Sequence, residues 1–444
     1  MKIPRDRMRI LLLAGVCLLL ASGFKCDRAQ RTAALPPNDE PQVGGVSDSI
    51  AVDVYLDATL SMKGFIVPGV SSNYERTLQL LERAAQKGWN HGTATFYKFG
   101  TRIDPVGGRG YLEGSRPDFY TNPDLYRRTF IENVIDAANP DNLTVVVTDL
   151  FQNAADVSLL TRKLKEKYLE KGLAVGVLGV RSHFDGTVYD VGIRNYSFPY
   201  KSGSEQAERF RPFYVLILGR HPDVARYFET LKVSGLEGFP TNFEIFSRHL
   251  ATRLASFSDG RVEAVERMVQ VSNLLAAGVQ EGRAKQFVVR EGTPPHFAAT
   301  FGYEGLPYVM PFPAGALSYE VTAWHCAGDR LEGSGAPPQA FHVTGAALTG
   351  DRITLEAQVD ASALAANEIY CYRVVLRPRE YQAPAWVTEW DMPVENVEHW
   401  KQKPADFNGA TTFNLKPFLE DLSETVVQLY QPKVGEVYFY FQKR

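Results

Sequence analysis

The segment VYLDATLSMKGF, residues 54–65, holds the most informative side chains of the 444-residue chain. Asp57 ends an apolar run, and two hydroxyl residues, Thr59 and Ser61, follow at a spacing of two. One carboxylate and two hydroxyls converging at a turn make an all-oxygen, low-charge donor set. That set suits a hard cation, Mg²⁺ first, with Mn²⁺ and Ca²⁺ as further fits. It also leaves part of the coordination sphere to water or to a carboxylate brought by a ligand. A plainer use exists for the same residues: Asp57 can cap the next turn, and Thr59 and Ser61 can satisfy backbone groups with no metal bound.

For the first use, a strand must deliver Asp57 to its carboxyl end, where ligands sit in open α/β sheets. The sequence supplies such a strand in IAVDVYLD. A helix follows in NYERTLQLLERAAQKG, with Leu78, Leu81 and Ala85 at helical spacing, and then a strand in TATFYKFG. RRTFIENVIDAAN reads as a helix, LTVVVTDLF as an apolar strand ending at Asp149, VSLLTRKLKEKYLEKG as a helix and LAVGVLGVR as a strand. Apolar strands without polar alternation, separated by amphipathic helices, predict a sheet covered on both faces. The pattern breaks near 184–210, which reads as an inserted ribbon, and resumes with the strand RPFYVLILG and the helix PDVARYFETL.

The segment Asp57-Ala-Thr59-Leu-Ser61-Met62-Lys63-Gly64 resembles the metal-ion-dependent adhesion motif of the von Willebrand factor A superfamily, Asp-x-Ser-x-Ser, commonly continued Met-x-Gly. Thr59 replaces a Ser and keeps the oxygen; Leu60 replaces a frequent Gly. The resemblance implies a fold of the α/β class, with a mostly parallel, Rossmann-like sheet sandwiched by helices over residues 49–245. It implies two further metal-site residues. One is Asp149, in the phrase Thr148-Asp149-Leu150, where the family has Thr-Asp-Gly. The other is a Thr from the loop before the preceding helix, for which Thr129 is favoured over Thr121. The function implied is capture of an acidic group on a protein partner through a Mg²⁺ ion completed by the partner's carboxylate.

Other polar residues read as less specific. Asp53 lies between Val52 and Val54 as a hydrogen-bonded strand acid. Asp57, Asp149 and Asp156 are faintly similar to the acids of haloacid-dehalogenase-like phosphatases, but those need a second acid two residues after the nucleophile, and position 59 is Thr. His183 and Asp185 read as a solvated turn, and Trp324 and His325 as parts of a β core or its rim. The chain has no Gly-rich phosphate loop, GxSxG elbow or HExxH helix, so binding rather than enzymatic turnover is expected.

A length of 444 residues implies more than one domain. After 49–245, residues 246–290 read as a helical connector of short segments. Residues 291–444 read as a β-rich, sandwich-like domain, from stretches such as LSYEVTAWHCA, RITLEAQVD, IYCYRVVLRP and EVYFYFQKR. The formal net charge of -3 gives no global reason to expect a nucleic-acid partner. At the N-terminus, Lys2, Arg5, Arg7 and Arg9 precede an apolar run over residues 10–20. Residues 1–26 therefore read as a signal peptide or short membrane anchor, with a lipoprotein at Cys26 as a further alternative. Residues 27–48 are a polar linker. The expected place is the periplasm or cell envelope, with membrane contact only through that N-terminal segment. Export permits Cys326 and Cys371 to pair, against the alternative of two buried thiols. The competing functional reading is a metal-free structural or assembly component of the envelope.

Overall fold

The apolar run that ends at Asp57 is strand β1 (Ser49–Asp57), whose last six residues are all buried. In the computed structural model, residues 43–444 are described, except 123, 151–157, 190–195, 204, 264, 276–281, 293, 312–316, 329, 333–335 and 393–394. The leader over 1–26, most of the linker, Cys17, Cys26 and Asp156 therefore lie outside the described residues. After β1 come a short helix α1 (Leu60–Lys63), helix α2 (Asn73–Gly88), and strands β2 (His91–Phe99) and β3 (Ile103–Pro105). Helix α3 (Gly110–Gly114) and helix α4 (Ile131–Ala137) precede β4 (Leu143–Thr148), and α5 (Ser158–Lys167) precedes β5 (Ala174–Ser182). A two-stranded ribbon, β6 (Asp185–Tyr189) and β7 (Ser197–Lys201), then leads to β8 (Arg211–Gly219), helix α6 (His221–Ser234) and β9 (Thr241–Phe246).

These strands form one seven-stranded sheet in the order β3-β2-β1-β4-β8-β5-β9. β1 pairs in parallel with β2 and β4, whereas β2–β3, β4–β8, β8–β5 and β5–β9 are antiparallel. The expected mostly parallel, Rossmann-like sheet sandwiched by helices is therefore corrected: the sheet is mixed, and across the structure strand residues outnumber helical ones. Three strands run against β1: β3 and β9 at the two edges, and in the interior β8, which enters between β4 and β5 and runs against both. Its sequence, RPFYVLILG, is buried at every position, and beyond the opening Arg211 an apolar run carries no mark of direction.

Side chains alternate across β1 as strand geometry requires. Val52, Val54 and Leu56 pack in one core with Leu78 and Leu81 of α2 and Tyr227 and Leu231 of α6. Tyr55 lies in the other core, with Val134 and Ile135 of α4 and Leu160 and Leu164 of α5. Helix α2 starts at a reciprocal cap, in which the Glu75 amide donates to the Ser72 hydroxyl and the Ser72 amide donates to the Glu75 carboxylate.

Residues read above as a helical connector are strands instead: β10 (Ala251–Val262), β11 (Met268–Val271) and β12 (Ala284–Val289). Short apolar runs do not distinguish helix from strand by periodicity, and pairing with distant strands decides here. They join β13 (His296–Gly305), β14 (Leu317–Ala327), β15 (Arg330–Glu332), β16 (Phe341–Thr349), β17 (Arg352–Val359) and β18 (Ile369–Pro378). The C-terminal part of the sandwich-like expectation is corrected too: these strands, with a final strand, belong to one continuous ten-stranded sheet. That sheet curls on itself around Phe297, Phe341, Tyr372, Phe439 and Phe441, whose rings are mutual neighbours. Cys326 and Cys371 are buried free thiols on neighbouring strands, opposite Ile369 and Trp324 respectively.

Between β18 and the final strand the chain returns to the first sheet. Helix α7 (Ala385–Trp390), the strand pair β19 (Asp391–Met392) and β20 (Thr412–Phe413), and helices α8 (Glu395–Gln402) and α9 (Leu415–Tyr430) make this excursion before β21 (Gly435–Lys443). Phe407 stacks on Phe198 of the ribbon with ring centroids 4.3 Å apart, and Tyr214 of β8 donates to Thr412 over 3.0 Å. A Cβ on Gly409 would lie 2.3 Å from the Tyr200 ring, so only glycine lets this segment approach the ribbon so closely. Among the described residues no helix is long and apolar enough to cross a membrane.

Candidate metal centre

The carboxyl ends of β1 and β4 lie side by side, because Leu56 pairs with Val147. This places Asp57 and the Thr148-Asp149 pair at one pole of the sheet, and the loop before α4 brings Thr129 to the same point. Asp57 is fully buried; Thr59, Ser61, Thr129 and Asp149 are each exposed by 5% or less. The Asp57 carboxylate accepts from four donors. The Thr59 amide and hydroxyl reach Oδ1 at 3.0 and 2.7 Å, and the Thr129 and Thr148 hydroxyls reach Oδ2 at 3.1 and 2.9 Å. Thr59 Oγ1 lies 3.1 Å from Ser61 Oγ and 3.3 Å from Thr129 Oγ1, and Ser61 donates to Asp149 Oδ1 over 3.3 Å.

All five residues singled out from the sequence thus come together. Thr121, the weaker alternative, is exposed and donates to the Asp118 carbonyl instead. Thr59 occupies the N-cap position of α1 but makes no side-chain capping bond, so its hydroxyl serves the cluster rather than the helix. Gly64, the Gly of the Met-x-Gly continuation, lies against Phe184; a Cβ there would be 2.4 Å from that ring. Leu150, where the family pattern has Gly, is held at φ 56° in the left-handed region. An L-residue with a bulky side chain adopts that conformation at a cost of about 1–2 kcal/mol, offset here by burial of the side chain, which is 7% exposed.

Two functional partners escaped the sequence reading. Thr148 was visible beside Asp149, and its hydroxyl holds Asp57. Arg211, the first residue of β8, is 4% exposed and places a guanidinium nitrogen 3.5 Å from Asp149 Oδ2. The antiparallel course of β8 puts its first residue at the pole where β4 ends. A charged residue opening an otherwise apolar strand was the available signal. The same guanidinium donates to the carbonyls of Gly409 and Thr411 at 3.0 and 3.4 Å and lies over the Phe184 ring. It therefore ties the site to the returning C-terminal segment.

Electrostatically the cluster is unbalanced. Burial, and next the neighbouring Asp149 charge, push the Asp57 carboxyl up to about 7; the hydrogen bonds from Thr59 and Thr148 oppose that rise. Burial pulls the Arg211 guanidinium below its usual range, and Asp149 opposes that fall. Two carboxylates with one guanidinium leave a net charge of about -1 in a buried space when both acids are ionised. The donor set fits a hard divalent cation: two carboxylates and three hydroxyls, all oxygen, with a charge deficit that a cation relieves. Among the described residues, no group of three or more His, Cys, Asp or Glu side chains is placed to hold a metal ion.

The remaining candidates lie elsewhere. Asn142 donates to Asp53 over 2.8 Å, Asp185 pairs with Lys201 at 2.7 Å, and the His183 ring sits on Phe210. His325 pairs with Glu368 at 2.7 Å on the outer β14–β18 face. Compared with known proteins, the chain matches no family model, and no curated protein matches its sequence.

Proposed function

We propose that the chain is an exported binding protein of the bacterial envelope. It engages a protein partner through a divalent cation, Mg²⁺ by preference, held at Asp57, Thr59, Ser61, Thr129 and Asp149. One observation carries this reading: three hydroxyls and two carboxylates from three loops meet in a single hydrogen-bonded cluster just beneath the surface. When bound, the cation offers a Lewis-acidic position that a carboxylate of the partner completes. Thr59 and Ser61 present neutral oxygens, Asp57 joins the β1 loop to Thr129 and Thr148, and Asp149 balances charge. The likeness to the von Willebrand factor A superfamily rests on this motif and its gathering, not on the course of the strands. Binding is favoured over phosphoryl transfer because both Asp57 oxygens are committed to four donors, which leaves a weak nucleophile. The acid that such chemistry needs two residues later is Thr59.

Arg211 favours a second reading, a metal-free structural component, because it already brings one positive charge to Asp149. Calorimetric titration of Mg²⁺ and Mn²⁺ into the whole chain, beside its Asp57→Ala variant, separates the two. Binding that vanishes in the variant supports the metal-dependent reading. No binding to either protein supports the structural one.

A further inference from the structure

Helices α5 and α9 lie side by side, with Leu160 and Leu164 of the first and Leu422 and Val426 of the second buried in one core. Above that seam a groove of about 270 Å³ opens to solvent. Its walls follow helical spacing. Ser158, Thr161, Arg162 and Lys165 line one side at i, i+3, i+4 and i+7. Asp421, Glu424, Thr425 and Gln428 line the other at the same intervals. One wall is therefore cationic and the other anionic, no apolar side chain lines the space, and none of the metal-site residues belongs to it.

The two walls do not close on each other. Among the described residues, Arg162, Lys165, Asp421 and Glu424 form no ion pair across the groove or elsewhere. Other charges on the same helices do pair: Lys163 and Lys167 with Asp136 at 2.9 and 3.6 Å, and Lys416 with Glu420 at 3.8 Å. The groove thus holds apart opposite charges that closer walls would join. Burial, and next the Glu424 charge, push the Asp421 carboxyl up, and an ammonium group in the groove would oppose that rise.

An occupant that satisfies both walls must carry both signs. A lone anion meets the two cations but sets its charge beside Asp421 and Glu424, and a lone cation does the reverse. The space lies just under the roughly 300–1,000 Å³ of small-molecule sites, so the occupant is small. The polar lining disfavours an apolar one, which would strip these groups of water without replacing its hydrogen bonds.

We propose that the groove between α5 and α9 is a second binding site, independent of the metal centre, for a small zwitterion that carries an acid group and an ammonium group. The acid group accepts from Arg162, whose planar guanidinium matches a carboxylate or phosphate, and from Lys165. The ammonium group donates to Asp421 and Glu424. The free ends of a short peptide carry these two charges, and so does a phosphoethanolamine headgroup.

The test is ligand-observed NMR titration of the whole chain with glycylglycine and with phosphoethanolamine. Two capped controls accompany them: N-acetylglycylglycine keeps only the acid, and glycylglycinamide keeps only the ammonium. At least one zwitterion should bind at least tenfold more tightly than either control, and the tighter of the two names the source. Reversing one wall, by Arg162→Glu/Lys165→Glu, should weaken the zwitterion at least tenfold and favour glycylglycinamide. Adding Asp421→Lys/Glu424→Lys reverses both walls and should restore zwitterion binding, because such a ligand fits either way round. Melting temperatures near the parent's show that the variants fold. The proposal is overturned if no probe binds, if a control binds as tightly as the zwitterions, or if the single-wall variant binds them as the parent does. It is equally overturned if a folded chain with both walls reversed does not regain them.

Discussion

Replacing Asp57 by Asn should stabilise the protein without metal and destabilise it with metal. Asn keeps the shape of the side chain and removes one of two buried acids. The folded protein raises the Asp57 carboxyl from 3.8 to about 7. At about 1.4 kcal/mol per unit, ionising it at pH 8 therefore costs the fold about 4 kcal/mol. Because the folded value lies above the unfolded one, this group's stabilisation is complete below pH 3.8 and is lost as pH rises through about 7. The amide retains one acceptor oxygen, which serves either the Thr59 pair or the Thr129 and Thr148 hydroxyls; the displaced donors give back about 1–3 kcal/mol. The net gain at pH 8 is about 2 kcal/mol, or about 4–8 °C in melting temperature for a unit of roughly 200 residues. A cation at one hundred times its dissociation constant adds about 2.7 kcal/mol to the parent and nothing to a variant that cannot hold it. Melts followed by circular dichroism at pH 8, in chelator and in Mg²⁺, should thus cross: the variant melts higher without metal and lower with it. At pH 5 in chelator the two should melt nearly together. A variant that melts below the parent in chelator at pH 8 would refute the buried-charge reasoning.

Further outcomes follow from single contacts. Arg211→Met leaves Asp149 buried without its guanidinium and frees the Gly409 and Thr411 carbonyls, so stability in chelator should fall by about 3 kcal/mol. Mg²⁺ should restore more of the melting temperature in that variant than it adds to the parent. Leu150→Gly relieves about 1 kcal/mol of left-handed strain but removes about 2–3 kcal/mol of apolar burial. It should therefore lower stability by about 1–2 kcal/mol in denaturant titrations. Burial pushes the Glu244 carboxyl, to which the Tyr381 hydroxyl donates over 3.1 Å, from 4.5 up to about 7. Its stabilisation is complete below pH 4.5 and is lost as pH rises through about 7. Glu244→Gln should therefore remove about 3 kcal/mol of the decline in stability between pH 5 and pH 8, measured against the parent by the same titrations.

What was legible in the sequence followed from local physics. The spacing of Asp57, Thr59 and Ser61 marks one loop whatever sheet surrounds it, and Asp149 ends an apolar strand in the matching phrase. A Thr was sought only through the family pattern, and Thr129 was favoured over Thr121 because it opens the helix RRTFIENVIDAA. Helix α2 was readable because its capping residues, periodicity and length agree. Strand direction was not readable: after its opening Arg211, RPFYVLILG is apolar, so the antiparallel course of β8 that brings Arg211 to Asp149 is not written in it. Residues 251–289 misled because their strand character comes from pairing with β13 and β21, far along the chain. Helix α9 lay inside a region that reads as β, although Phe418, Leu422 and Val426 recur at helical spacing and are buried.

The most direct test of the metal-dependent centre is an anomalous-difference map from crystals of the protein grown in Mn²⁺. The cluster geometry predicts one peak bounded by Asp57, Thr59, Ser61, Thr129 and Asp149, with oxygen ligands at about 2.0–2.3 Å and no such peak in Asp57→Ala crystals. A map without density there at saturating Mn²⁺, with Arg211 still against Asp149, would contradict it.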